Sequence, residues 1–115
     1  MQINRKAVDE IEIISPCGRL DAYNSSEIET KLNALIDAAK IKLVVSLKEL
    51  DYISSSGLRV LLTTLKKVRK QHGDICLACL KSNVREVFDT AGFSQLFIIT
   101  DDEEAAVEKF KKKND

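Results

Sequence analysis

The sequence predicts an α/β fold with a largely parallel sheet of about four to five strands that alternate with helices. Short apolar runs rich in β-branched residues recur along the chain, and most are followed by apolar residues at helical spacing. Strands that alternate with helices favour right-handed crossovers and parallel pairing. The 115 residues, the zero net charge and the low content of Gly and Pro fit a single domain over residues 1–115 and exclude intrinsic disorder.

Two strands and a helix are predicted in the N-terminal region. Ile11–Ile14 is a strand that runs toward Pro16, and residues 2–5 form a short edge strand that pairs with it across a turn. This edge strand is the candidate for antiparallel pairing. Asn24, with Glu27 three positions later, is close to a capping box and indicates the start of a helix. The apolar face of this helix consists of Ile28, Leu32, Leu35, Ile36 and Ala39.

A buried strand and a second helix are predicted in the middle of the chain. Leu43–Leu47 is apolar and β-branched, as is typical of a strand buried on both faces. Leu50–Ile53 then carries the chain to Ser54–Gly57 without a predicted element of its own. The helix that follows ends near His72, and its apolar positions are Leu58, Leu61, Leu62, Leu65 and Val68.

Two further strands and two further helices complete the pattern. Residues 75–80 and 96–99 are apolar strands, and the helix between them ends at Gly92. We expect Gly92 at the C′ position, with Phe93 folding back as the hydrophobic partner of a Schellman motif. The apolar positions of the two helices are Val84, Val87, Phe88 and Ala91 in the first, and Ala106, Val107 and Phe110 in the second.

Cys76 and Cys79 have the spacing of a redox pair or a zinc pair. We expect both on the strand at residues 75–80, where side chains three residues apart point to opposite faces. No second pair of ligands is available for zinc, and three cysteines do not make a disulfide framework. The sequence therefore predicts structural cysteines, no metal site and no cofactor.

Charge and hydropathy exclude several classes of function. The balance of 18 basic and 18 acidic residues argues against nucleic-acid binding. No run approaches the ~18 consecutive apolar residues of a membrane helix, and the polar start of the chain contains no signal peptide. We therefore expect a cytoplasmic protein without membrane insertion. The serine run lacks the Gly-x-Ser-x-Gly turn of hydrolases, and no nucleophile stands in a pair with a base, so the sequence predicts no enzyme and no catalytic residue.

Three features are predicted at the carboxyl ends of the strands, where open α/β sheets collect their sites. Asp21 follows the first buried strand, Asp51 lies just past the second, and Ser54–Gly57 begins the second helix. Serine and aspartate also cap helices and turns, so each feature has a structural interpretation as well. A helix start presents unpaired N–H groups, and a serine there tolerates phosphorylation without unfolding its host.

Three segments resemble STAS domains, which include the bacterial anti-sigma factor antagonists and domains of sulfate transporters. The segments are Gly18–Asp21, Leu50–Leu62 and Val87–Phe93, and they occur in the order found in that family. The likeness covers nearly the whole chain. The Ser-Ser-Gly-Leu sequence at a helix start is the most specific element.

The resemblance implies a regulatory binding module without catalysis of its own. Family members bind an anti-sigma factor that is also a serine kinase with a histidine-kinase-like ATPase fold. Phosphorylation releases the antagonist, and a serine phosphatase resets it. Matching the family glycine to Gly57 puts the exposed, phosphorylated residue at Ser55, leaves the helix cap to Ser54 or Ser56, and puts Ser54 where the family usually has Asp. The implied partner-binding residues are Asp21, Ser54, Ser55, Ser56, Gly57 and Arg59.

Two alternatives require different partners. Within the same family, the first is a STAS scaffold or accessory subunit of a stressosome-like or ABC transport complex. The second is a phosphoacceptor receiver domain with Asp51 as its acceptor. Receivers need an acidic pair at the first strand end and a Lys after the last strand, but Asp21 stands alone and residues 100–102 contain no Lys.

Overall fold

The computed structural model describes residues 1–113 and contains the predicted strands and helices together with one additional pair of strands. The predicted domain boundary at residue 115 lies outside the described residues. Within that range, no helix is long and apolar enough to cross a membrane. In chain order the elements are β1 (Ile3–Val8), β2 (Ile11–Pro16), β3 (Gly18–Leu20), α1 (Ser25–Asp37), β4 (Lys42–Ser46), β5 (Leu50–Ile53), α2 (Ser55–Lys70), β6 (Asp74–Ala78), α3 (Ser82–Ala91), β7 (Ile98–Thr100) and α4 (Glu103–Lys113).

Five strands form a mixed sheet in the order β1-β2-β4-β6-β7. β1 pairs with β2 in antiparallel orientation, and the three remaining pairs are parallel. The predicted largely parallel sheet with an antiparallel first strand is therefore confirmed. A helix lies in each connection between parallel neighbours, because a parallel strand is reached by a crossover and not by a tight turn.

β1 forms an outer edge of this sheet, and its middle residues are exposed. Asn4, Arg5 and Lys6 place polar and charged side chains along that edge. Arg5 donates to Glu12 of β2 at 2.6 Å. Lys6 Nζ lies 2.9 Å from Glu103 Oε1, and this hydrogen-bonded ion pair holds the pKa of the Glu103 carboxyl below its usual value. The hairpin is thereby tied to the start of α4.

The sheet separates two groups of buried side chains. Along β4, Leu43 and Val45 belong to the group that includes helices α1 to α3, whereas Val44 belongs to the group beside α4. A strand buried on both faces does not alternate apolar with polar residues, which explains the continuous apolar sequence here. The larger group contains Phe88 and Phe97, whose rings pack edge to face with centroids 5.9 Å apart.

β3 and β5 form a separate two-stranded parallel sheet that the sequence analysis does not predict. The strands have three and four residues, too few to establish an alternating pattern. Leu20, Leu50 and Ile53 are buried in the larger core group. Arg19 and Tyr52 are exposed on the other side. This pair of strands is the platform from which α2 begins.

The predicted capping box of α1 is wrong, although the helix begins where expected. Asn24 occupies the N-cap position but makes no side-chain cap. Its amide donates to Arg19 O at 2.6 Å and accepts from Asp21 N at 2.9 Å. Glu27 binds the N-terminal ammonium at 3.0 Å. Ala39 does not belong to the helical face, because α1 has already ended and Ala39 has a left-handed φ of 62°.

The cysteine pair also departs from its predicted placement. β6 ends at Ala78, and Cys79 follows it with a φ of 60°. The prediction that the two side chains face opposite sides is therefore wrong, since both contact the buried group beside α4. Cys76 is buried and Cys79 is partly exposed. In the part of the chain that the structure describes, no cluster of His, Cys, Asp and Glu is arranged to hold a metal ion.

The end of α3 has the predicted Schellman geometry. Gly92 has a φ of 77°, and Phe93 N donates to Phe88 O at 2.9 Å. Phe93 is partly buried against the larger core group. This prediction is confirmed.

Gly73 allows β4 and β6 to begin side by side, and its replacement tests that packing. A Cβ atom at Gly73 would lie 2.2 Å from Ile41 O, whereas one at Gly92 would meet nothing within 4 Å. A backbone oxygen cannot rotate away, so Gly73→Ala is expected to lower the free energy of unfolding by about 3 kcal/mol. Gly92→Ala strains a left-handed residue and should lose about 1–2 kcal/mol. Urea unfolding measures both, and a smaller loss at Gly73 than at Gly92 would contradict the contact.

Candidate functional site

The carboxyl ends of β3 and β5 lie side by side, because these strands run parallel. Ser54 N donates to Leu20 O at 2.9 Å across this end. Asp21 follows Leu20 directly and Ser54 follows β5, so the two residues are neighbours in space. The structure thus brings together two of the three features predicted at the strand ends.

Asp51, the third feature, lies inside a strand. It belongs to β5, which follows β4, at the point where the register with Gly18 and Arg19 shifts. Lys81 Nζ binds its carboxylate, and Asn83 Nδ2 donates to its carbonyl oxygen at 2.7 Å. Asp51 therefore holds the start of α3 against β5.

The three serines before Gly57 occupy different environments. Ser54 is the N-cap of α2, with an extended backbone and an Oγ that accepts from Gly57 N at 3.2 Å. Ser55 is the first helical residue and is exposed, and no hydrogen bond to its hydroxyl forms among the described residues. Ser56 is partly buried. The predicted division between a capping and an exposed serine is confirmed, with Ser54 as the cap.

Gly57 determines how closely α2 approaches the β3/β5 pair. A Cβ atom there would lie 2.8 Å from Leu20 Cγ and 3.0 Å from Ile53 Cγ1. Any larger residue would push the helix start away from the two strands. Gly57 is buried, so it contributes to the site through this packing.

Asp21 lies in a turn that is stabilised by hydrogen bonds from the side chains of the turn itself. Asp21 Oδ1 accepts from Tyr23 N at 3.0 Å and from Asn24 N at 3.3 Å. Asn24 in turn accepts from Asp21 N and donates to Arg19 O. Tyr23 lies in this turn with 96% of its surface exposed. The sequence analysis does not identify Tyr23 as a site residue, because a single aromatic residue in a loop produces no periodic pattern.

Two arginines at this end of the molecule have no acidic partner in the part of the chain that the structure describes. Arg59 is exposed on α2, four residues after Ser55 and therefore one turn further along the same helical face. Arg19 stacks over Tyr52, with its guanidinium carbon 4.1 Å from the ring centroid. Positive charge is therefore available to a ligand or partner on both α2 and β3.

An open groove of about 440 Å³ extends from the start of α2 to α3. Most of its exposed wall surface is apolar, and Ser55 is one of its lining residues. The lining residues are Ser55, Leu58, Asn83, Glu86, Val87, Thr90 and Ala91. The groove provides a surface next to Ser55 on which a second polypeptide can pack.

The serine segment at the start of α2 lies within a match to a known protein family. The model of the STAS domain matches residues 2–106. The chain belongs to the STAS domain family. A Bordetella bronchiseptica STAS relative named as the anti-sigma factor antagonist BtrV is 37% identical over 111 residues, which are 96% of this chain and 96% of that protein.

Two solved structures share this STAS fold. One, named as an anti-sigma factor antagonist from Thermotoga maritima, has a TM-score of 0.89 at 21% identity and covers 93% of this chain and 92% of its own. The other is the phosphorylated form of the Bacillus cell fate determinant SpoIIAA, with a TM-score of 0.74 at 20% identity and coverage of 95% and 99%. These similarities confirm the expected STAS fold.

Three substitutions at the start of α2 separate packing, capping and exposure in this STAS domain. Gly57→Ala crowds Leu20 and Ile53 and is expected to lower the free energy of unfolding by about 1–3 kcal/mol. Ser54→Ala removes the cap and should lower it by about 1 kcal/mol. Ser55→Ala should change it by less than about 0.5 kcal/mol. Chemical denaturation measures the series, and an equal loss at Ser54 and Ser55 would show that the cap is assigned to the wrong residue.

Proposed function

We propose that this chain is an anti-sigma factor antagonist that acts as one domain over residues 1–115. It sequesters an anti-sigma factor that is also a serine kinase with a histidine-kinase-like ATPase fold, and phosphorylation of Ser55 releases it. The observation that carries the proposal is the exposed Ser55 hydroxyl, which forms no hydrogen bond among the described residues, next to a cap supplied by Ser54. The name of the Bordetella relative supports the same role.

The proposed partner-binding surface is the turn and helix start around Ser55. Asp21 and Gly57 position the surface, and Ser55 is the residue that changes. Arg59, one turn along the helix, contacts either the partner or a phosphate on Ser55. The antagonist has no catalysis of its own and requires no metal or cofactor. It works in the cytoplasm, where a serine phosphatase restores the unphosphorylated form.

Ser54 supplies the cap without adding a negative charge. In the antagonists that this sequence resembles, an Asp usually precedes the phosphorylated serine. Here the acceptor for Gly57 N is a neutral hydroxyl at 3.2 Å. A phosphate on Ser55 therefore meets no carboxylate from the cap, and it gains about 0.3–1 kcal/mol from the helix dipole. We expect the fold to survive phosphorylation.

Release of the partner follows from the charge that phosphorylation adds to a packed surface. A phosphoserine carries about −1.5 to −2 charges. A partner that covers Ser55 and the adjoining groove has to desolvate this group or approach it with like charge, at a cost of several kcal/mol. Since about 1.4 kcal/mol is a factor of ten in affinity, one modification abolishes binding without unfolding the domain.

Substitution of Ser55 tests the switch. Ser55→Ala is expected to fold, to bind the kinase and to resist phosphorylation. Ser55→Asp should fold but bind at least about tenfold more weakly, because a carboxylate enters the interface. Titration calorimetry measures binding, and phosphopeptide mapping after incubation with the cognate kinase locates the label. Label on Ser54 or Ser56 alone would move the site, and binding without any label would favour the scaffold or transport-complex role.

Substitution of Asp21 tests the contribution of the turn. Asp21→Asn keeps an oxygen acceptor for two backbone N–H groups, so the thermal midpoint should change by less than about 4 °C. Phosphorylation of Ser55 should nevertheless slow, because the carboxylate charge on the kinase-facing surface is lost. Asp21→Ala loses the acceptor and should lower stability by about 1 kcal/mol. Calorimetry and a kinase time course measure these effects, and a wild-type rate for Asp21→Asn would restrict Asp21 to bracing the turn.

A further inference from the structure

Two exposed aromatic side chains lie at the β3/β5 pair. Tyr23 is 96% exposed and Tyr52 is 37% exposed. Among the described residues, Leu96 is the one other large apolar side chain with comparable exposure, at 41%. Tyr23 is absent from both groups of core side chains. The stability of the fold therefore does not explain an aromatic residue at this position.

The backbone that carries Tyr23 is held in place before a partner binds. Tyr23 N donates to Asp21 Oδ1 at 3.0 Å, and Asn24 fastens the turn to Arg19 O at 2.6 Å. A side chain on a fixed backbone loses only its own rotamer freedom on binding, and tyrosine has just two side-chain angles. Aromatic residues presented in this way dominate the binding energy of many protein interfaces.

Arg19 lies four residues before Tyr23 in the chain and offers a second group that a partner could contact. Arg19 stacks on Tyr52 at 4.1 Å, and no acidic side chain of the described residues pairs with it. We call Arg19, Tyr23 and Tyr52, which lie on β3, on the turn that follows β3 and on β5, the aromatic face. Its backbone adjoins the serine segment, because Leu20 O, which follows Arg19 in β3, accepts the hydrogen bond from Ser54 N.

We propose that Tyr23 is the aromatic anchor of the interface with the anti-sigma factor kinase. This inference rests on the proposed function. The partner carries an apolar pocket that receives the Tyr23 ring, and a carboxylate at its rim pairs with Arg19. Burial of the ring supplies affinity that the small side chain of Ser55 does not provide, and Ser55 is left to act as the switch.

Binding of purified variants to the anti-sigma factor kinase that binds the wild-type protein tests the anchor. Tyr23→Ala is expected to weaken the Kd at least about tenfold, and Tyr23→Phe, which keeps the ring, less than about threefold. Leu96→Ala is the matched control, because it removes an exposed apolar side chain outside the aromatic face and should leave the Kd unchanged. The thermal midpoint of Tyr23→Ala should equal that of the wild-type protein, since its side chain is almost fully exposed.

Nitration by tetranitromethane, mapped by mass spectrometry, gives an independent measurement. Tyr23 should react in the free protein and be protected in the complex. Equal Kd values for wild type and Tyr23→Ala, or equal nitration of Tyr23 with and without the kinase, would overturn the anchor and leave the antagonist role intact. A wild-type protein that binds no anti-sigma factor kinase would overturn the proposed function and the anchor together.

Discussion

The close approach of Gly57 to Leu20 and Ile53 is the constraint on which the functional end of the molecule depends. A Cβ atom placed on Gly57 would lie only 2.8 Å from Leu20 Cγ, so there is no room for a side chain between α2 and the β3/β5 pair. With the helix start in this position, Ser54 N reaches Leu20 O and Ser54 Oγ reaches Gly57 N. The cap and the exposed serine are therefore positioned by one packing contact, and they would move together if it were lost.

Adjacent serines have separate tasks in the proposed switch, because one caps the helix and the other is exposed. Ser54 uses its hydroxyl inside the molecule, where it satisfies one of the unpaired N–H groups of the helix. The Ser55 side chain is exposed to solvent. Phosphorylation of Ser55 would change the charge of the surface that a partner contacts, and it would break no hydrogen bond of the described fold. A single serine performing both tasks would lose the cap each time it was modified. Under the proposed function, this division explains how a small domain switches its partner while its stability stays nearly constant.

Much of this fold follows from periodicity, and the remainder depends on tertiary contacts. The helical spacing of Leu58, Leu61 and Leu65 and the apolar run of β4 identify the main elements, because those segments are long enough to show their period. The strands β3 and β5 are too short to do so. The left-handed backbones of Ala39 and Cys79 are also invisible in the sequence, since each costs about 1–2 kcal/mol that only the surrounding structure offsets.

The sequence likewise predicts part of the candidate site. The motif around Gly57 is sufficient to single out Ser55, whereas the choice of Ser54 as the cap needed the observed hydrogen bond. Asp51 lies inside β5, a strand too short to be predicted from its pattern. Tyr23 is not predicted, because a single aromatic residue in a turn produces no periodic pattern, and its exposure becomes evident only in the folded structure.

The polar side chains of edge strand β1 affect the concentration at which the protein remains unaggregated. A binder that acts by stoichiometric titration must be present at about the copy number of its target. An open strand edge invites pairing with a second copy as concentration rises, and charged side chains oppose that pairing. Arg5 and Lys6 occupy one edge of the sheet, and the opposite edge strand, β7, has only three residues. Mutations that remove these charges would thus lower the concentration of unaggregated protein. They would not change its affinity for the target.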